Sequence, residues 1–359
     1  GDQGFVWSLS PAQRARLHNA LLSAVRARAA HKLAQELRTY RQLQLAVRHL
    51  EERESLEVLR GAAVVGLTTT GAAKYQSLVR QLGARVLLME EAAEVLEAHV
   101  IASLAPSTQQ LLLIGDHQQL RPSAACYELG LKFGLTVSLF ERAFLSRAPL
   151  VKLRTQRRMR PTISRLIKPL YPELRDHASA RGRPSVTGLA RNVHFITHAA
   201  PEEYAEGGVL SPRNVHEARA LLLLSAVLLG VGYSPSRITI LSAYVGQLLL
   251  LRACLDTAGG GMAEIELSTV DAYQGEENDI VLLSLVRSNE QGKLGFTAVD
   301  NRVCVALSRA RLGFYCACNL GMLGDGSELW NKVRKYLRDE RRSGGALPLK
   351  TAAAVAEDL

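Results

Sequence analysis

The sequence predicts an α/β protein, with two mostly parallel β-sheets covered by helices and an N-terminal helical segment ahead of them. Three observations lead there. Apolar residues recur every three or four positions as far as residue 60. After Gly61, short apolar runs alternate with helical stretches, which implies a parallel sheet with helices on both faces. The basic, proline-containing stretch "LSRAPLVKLRTQRRMRP" then interrupts the series and divides it into two sheets.

The first segment opens with Ser10 as an N-cap and Pro11 at the first helical position. Leu17, Leu21 and Val25, then Leu33, Leu37 and Tyr40, form an apolar stripe, so the segment reads as one long helix or a hairpin of two that packs on something. Strands are expected at "AVVGLTTT", "RVLLM" and "LLLIGD" in the first sheet. In the second they are expected at "VHFITH", "ITILSAY", "IELSTVDAY", "DIVLLSLV" and "GFYCACN". The resulting organisation is a helical insertion or stalk over residues 1–60, a first sheet domain over 61–148, a second over 149–330, and a C-terminal helix and tail over 331–359.

Of the 359 residues, 47% are hydrophobic and 22% charged, and no apolar run reaches the length of a membrane span. The five cysteines are odd in number and scattered, which suits reduced thiols; the lone C-x-C at Cys316 and Cys318 lacks the second pair a zinc site needs. A cytoplasmic location is expected, with a nuclear one as the alternative. The net charge of +10 favours polyanionic partners, although solvated helix faces also carry such charge. The excess is concentrated early: Arg14, Arg16, Arg26, Arg28, Lys32, Arg38, Arg41 and Arg48 are opposed by Glu36 alone between residues 11 and 50.

The chemistry is expected at strand ends, where parallel sheets bind ligands. "VLLMEEAAEV" reads as a strand buried on both faces that ends in two carboxylates, Glu90 and Glu91. One could face Mg²⁺ and the other take a proton from an attacking water, while the plainer alternative is charge stabilisation at a helix start. The next strand ends in "GDHQQL", placing Asp116, His117, Gln118 and Gln119 at the same edge; a glutamine there can orient water or sense a terminal phosphate. Arg158 and Arg309 are the candidate phosphate-binding arginines, with Arg309 expected at the start of a helix-like apolar pattern of Val303, Ala306, Leu307 and Ala310.

Taken in order, "MEEAAEV", "IGDHQQLRPS", "LRTQRRMRP", "TVDAYQGEENDIVLLSLVRSN" and "NRVCVALSRAR" resemble motifs II to VI of superfamily 1B helicases of the kind that act in nonsense-mediated RNA decay. "GLTTTGAAKY", "EEAAEVLEAH" and "YQGEENDI" look most similar to helicases that carry NFX-type zinc fingers, which are linked to antiviral immunity. The resemblance implies two RecA-like domains, ATP with Mg²⁺ between them, and single-stranded RNA, or DNA, across their top. Position by position it implies that Glu90 coordinates Mg²⁺, Glu91 activates water and Gln119 couples the terminal phosphate to the nucleic-acid site. Arg158 and Arg309 would reach the phosphates, Arg157, Gly275 and Glu277 would contact the nucleotide, and Thr68, Thr69, Thr70, Ser242, Tyr244 and Gln247 would touch the nucleic-acid strand.

Two departures bear on that transfer. The usual Asp-Glu pair is Glu-Glu here, and Arg157 stands where many relatives place an aromatic residue against adenine. A third concerns the glycine-rich phosphate loop ending in Lys and Ser or Thr: "QGKLG" at 291–295 has neither the preceding glycines nor the hydroxyl. The chain is therefore expected to start after that loop, to have an incomplete first RecA-like domain and to hydrolyse ATP poorly by itself. The alternative function is a non-catalytic nucleic-acid or partner-binding module; protein partners are not legible.

Overall fold

Along the strand Asn278–Ser284, Val281 and Leu283 join one buried cluster while Ile280 and Leu282 join another. This two-residue period sends successive side chains to opposite faces of a sheet that is covered on both sides. The protein is described by a computed structural model over residues 3–124, 126–204 and 211–350. The sheet has six strands in the order Ser343–Gly344, Val193–Thr197, Ala310–Cys318, Asn278–Ser284, Ile238–Ser242 and Glu266–Thr269, with every pairing parallel.

Helices Pro161–Ile167, Asp300–Leu307, Leu320–Gly326 and Glu328–Asp339 cover the first face, anchored by Ile163, Val303, Leu323 and Trp330. Helices Val215–Gly230 and Val245–Ala258 cover the other through Leu221, Leu224, Leu251 and Leu255. All five strands expected in the second sheet form. The segment expected as a tail supplies the edge strand Ser343–Gly344.

The chain divides into two compact units: residues 1–87 with 98–112, and residues 88–97 with 113–359. In the first, Pro11–Arg60 is one unbroken helix of 50 residues, started by a capping box between Ser10 and Gln13 with Pro11 in the first turn. Its apolar stripe is not buried: Leu21, Val25, Leu33, Leu37 and Tyr40 are all exposed, and only Leu56 is buried, near the contact in which Arg60 donates to the Gln81 carbonyl. "AVVGLTTT" is not a strand. The Thr68 hydroxyl accepts the Gly71 N–H at 3.0 Å and starts the helix Thr69–Lys74, because a threonine side chain offers the backbone a local alternative to sheet pairing.

The strands Val86–Met89 and Gln110–Leu113 form where expected, as a two-stranded sheet. Burial on both faces was expected for the first; Met89 is buried, but Val86 and Leu88 are 53% and 51% exposed. An apolar run fixes the strand, but burial depends on what lies over it, and among the described residues no element covers those two side chains.

One buried charge organises the carboxyl edge of the large sheet. Glu217 is fully buried, with one oxygen accepting from the Ser284 hydroxyl and the Val286 N–H and the other 3.0 Å from His198 Nε2. Val286 has φ of +69°, a costly left-handed conformation for a β-branched residue, and the Glu217 carboxylate holds its N–H there. Glu217→Ala would strand three buried polar groups and is expected to cost about 3–5 kcal/mol, read from the midpoint of urea unfolding. An unchanged midpoint would contradict this role.

Candidate nucleotide cleft

The site is built at the ends of the strands, from segments that all belong to the second compact unit. Residues 90–94 form a turn rather than a helix start; the next helix begins at Glu97. The turn is pinned by Ile114 N–H to Met89 O at 2.9 Å and Ala92 N–H to Ile114 O at 2.8 Å. Gly115 permits this approach, since a Cβ there would lie 2.8 Å from Ala93 N. Glu91 occupies the left-handed region at φ +49°, and its Oε2 accepts from Gln274 Nε2 at 3.2 Å. Glu90 and Glu91 are both exposed. A non-glycine residue held in that region stores strain, a feature common where side-chain direction is part of the function.

From the next strand end, Asp116 folds a short turn on itself. Its Oδ1 accepts the Gln118 N–H, and its Oδ2 accepts from Gln119 Nε2 at 3.0 Å and from the Tyr171 hydroxyl at 2.7 Å. Asn301 Nδ2 donates to the carbonyls of His117 and Gln119, tying this turn to the helix Asp300–Leu307.

Arg309 lies between the end of that helix and the strand Ala310–Cys318; it follows the helical pattern rather than starting it, and Ala310 is already the first strand residue. Its guanidinium is 1% exposed and donates to Val305 O, Glu276 O, Ser308 Oγ and Gln119 Oε1, the last at 3.1 Å. Every one of these acceptors is neutral, and Arg309 forms no ion pair among the described residues. Burial, reinforced by the nearby Arg158 charge, pushes its pKa down to about 10, so it stays charged at neutral pH. Arg158 is partly buried, ion-paired to Glu277 and within reach of Ser308 O.

These groups line a cleft of about 480 Å³ that also includes Arg157, Gln156, Met159, Leu174, Arg183 and Cys304, a size suited to a small-molecule ligand. Its polar lining, which includes Gln119, Arg158 and Arg309, suits a polyphosphate, and its apolar lining, which includes Leu153, Met159 and Leu174, suits an apolar ring. Thus Gln119, Arg157, Arg158, Glu277 and Arg309 meet in one cavity; Glu91, bonded to Gln274, does not line it, although its charge acts on Arg309. Gly275 has φ of +82°, a backbone setting glycine tolerates well.

The expected strand-binding residues lie elsewhere. Thr68, Thr69 and Thr70 belong to the other unit, where Thr68 serves as a helix cap. Ser242 is buried and its hydroxyl is closed on the backbone of Tyr244; the Tyr244 hydroxyl accepts the Phe296 N–H at 2.8 Å. Gln247, also expected at the nucleic-acid strand, is an internal brace. It is fully buried, and both ends of its amide pair with the backbone of Asn214.

Sequence reasoning missed Tyr171, Asn301 and Cys304, and gave Asp116 no role. Asn301 and Cys304 lay within a recognised motif, but only the folded contacts distinguish them from its other members. Tyr171 stood in a segment with no signal of its own.

Among the described residues no group of three or more His, Cys, Asp and Glu could hold a metal ion. The exposed Glu90 and Glu91 nonetheless fit Mg²⁺, which commonly takes one or two protein carboxylates and completes its shell with water and phosphate oxygens. Negative charge is already crowded there: burial, then Glu91 and Asp271, raise the Glu94 carboxyl above its ordinary value.

Residues 135–320, more than half of the chain, match the profile of an AAA domain. The chain belongs to the AAA-domain family. A second AAA-domain profile matches residues 11–125. It is 45% identical over 345 residues to the mouse NFX1-type zinc finger-containing protein 1, covering 96% of this chain and 18% of that one. It is 36% identical to the Schizosaccharomyces pombe helicase required for RNAi-mediated heterochromatin assembly 1, covering 96% of this chain and 35% of the relative. To the Drosophila melanogaster regulator of nonsense transcripts 1 homolog it is 30% identical, covering 82% and 25%. The chain thus spans about a third or less of these relatives. The superfamily 1 resemblance and the RecA-like α/β class are those expected from the motifs.

Two outcomes test this geometry. Gly115→Ala is expected to cost about 1–3 kcal/mol in thermal or urea unfolding, because the new methyl meets backbone that has little room to shift; a neutral substitution would contradict the close approach. The raised Glu94 pKa means the folded state binds the proton more tightly than the unfolded chain. Stability should therefore fall as pH rises from 4.5 through the raised value, and Glu94→Gln should flatten that part of the pH profile of urea unfolding.

Proposed function

We propose that this chain is the motor portion of an ATP-dependent RNA helicase that couples ATP hydrolysis to movement along single-stranded RNA, in RNA surveillance or antiviral defence and in the cytoplasm. The observation that carries the reading is Arg309, a buried guanidinium with only neutral partners, in one cleft with Gln119 and Arg158. A buried cation hydrogen-bonded only to neutral groups favours an anion beside it, and a terminal phosphate supplies one.

In this reading Arg309 and Arg158 bind the phosphates and stabilise the charge that develops during transfer. Gln119 lies against Arg309 and is placed to report the terminal phosphate. Glu91 takes the proton of the attacking water, with Gln274 fixing the carboxylate. Glu90 holds Mg²⁺, which neutralises phosphate charge when bound. Arg157 stacks on the base. The basic stretch of the helix Pro11–Arg60 and the edge around Tyr244 contact the RNA backbone.

In the full-length protein, Arg309→Ala is expected to lower RNA-stimulated phosphate release at least about a thousandfold while leaving single-strand affinity nearly unchanged. Undiminished release would remove the arginine from the reaction. The 359-residue chain should bind single-stranded RNA without nucleotide and lose affinity steeply with salt. If the full-length protein binds RNA but releases no phosphate, the binding-module alternative replaces the motor.

A further inference from the structure

The cleft contains a hydrogen-bonded chain that the motifs do not account for. Tyr171, beyond the helix Pro161–Ile167, donates its hydroxyl proton to Asp116 Oδ2 at 2.7 Å. The same oxygen accepts from Gln119 Nε2 at 3.0 Å, and Gln119 Oε1 accepts from Arg309 Nη2 at 3.1 Å. A carboxamide has one donor end and one acceptor end, so holding the nitrogen on Asp116 turns the oxygen to the guanidinium. A flipped amide would set N–H against N–H at Arg309 and oxygen against oxygen at Asp116.

The Tyr171 hydroxyl, having given its proton to Asp116, is left to accept, and Cys304 Sγ lies 3.2 Å away to donate. Burial raises both ionisations, the thiol to about 12, so both groups keep their protons at neutral pH. The direction of every bond from Cys304 to Arg309 is then set: thiol to phenol, phenol to carboxylate, amide to carboxylate, guanidinium to amide.

We propose that Tyr171 is a positioning residue which, through Asp116, fixes the amide orientation of Gln119 and with it the seat of Arg309, so that the cleft distinguishes a nucleoside triphosphate from a diphosphate. The proposal rests on the nucleotide reading above. It assigns Tyr171 no contact with the ligand. Its hydroxyl holds the Asp116 carboxylate in the place from which it turns the Gln119 oxygen to Arg309, and only a ligand long enough to reach Arg309 registers the difference.

Tyr171→Phe removes the hydroxyl and keeps the ring, which packs against the apolar cluster of the first sheet face. The test is equilibrium binding of a non-hydrolysable ATP analogue and of ADP to the 359-residue chain, in the wild type, Tyr171→Phe and Arg309→Ala. Tyr171→Phe should lose about tenfold of the triphosphate preference, with ADP affinity much less affected, and Arg309→Ala should lose at least as much. Equal losses for both nucleotides, or a preserved preference in Tyr171→Phe beside a loss in Arg309→Ala, overturn the Tyr171 assignment alone. No preference in the wild type, or no effect of Arg309→Ala, overturns the nucleotide reading. A second measurement needs no nucleotide: the side-chain amide resonance of Gln119 should move in Tyr171→Phe, and an unmoved resonance overturns the proposed connection.

Discussion

A positive charge buried to 1% exposure with only neutral acceptors around it is the interaction on which the rest of the site depends. Taking a guanidinium out of water costs several kcal/mol, and carbonyls, a hydroxyl and an amide offset that only in part. The fold supplies the difference through rigid packing. Arg309 sits between the helix Asp300–Leu307, buried through Val303, Ala306 and Leu307, and the strand Ala310–Cys318 at the centre of the sheet. A residue joined to two such elements cannot swing out to solvent, so its charge stays available to a ligand that brings the missing anion.

The other parts of the cleft arrive by the same logic of strand ends. Parallel strands open toward ligands at their carboxyl edges, and here the turns after them are closed by specific contacts: Gly115 against Ala93, Asn301 across the carbonyls of His117 and Gln119, and Gln274 on Glu91. Each joins segments far apart in sequence. The edge near Tyr244 is arranged differently, by the buried Glu217 that braces Val286 and by Gln247 locked to Asn214. Glu217 and Gln247 stiffen the edge without reaching its surface.

Much of this was legible in the sequence, for reasons that can be named. Short apolar runs marked the strands of the large sheet, and Ser10–Pro11 marked the start of the long helix, because both signals are local. The burial of Val86 and Leu88 was misjudged, as was the fate of the apolar stripe on Pro11–Arg60, since pattern reports which face could be buried and not whether anything covers it. "AVVGLTTT" failed as a strand where a threonine cap competed with its β-propensity. Glu91, Gln119 and Arg309 were singled out by their places at strand ends and by the order of the motifs. Tyr171 could not be, because its role exists only through a hydrogen bond to a residue 55 positions away.

The measurement that tests the central claim most directly is hydrogen–deuterium exchange of the 359-residue chain with and without a non-hydrolysable ATP analogue and Mg²⁺. If the cleft around Arg309 is the nucleotide site, amide exchange should slow in two separate segments, residues 115–119 and 305–309, with little change along Pro11–Arg60. Protection confined to any other part of the chain, at a concentration where the analogue is shown to bind, would contradict the account.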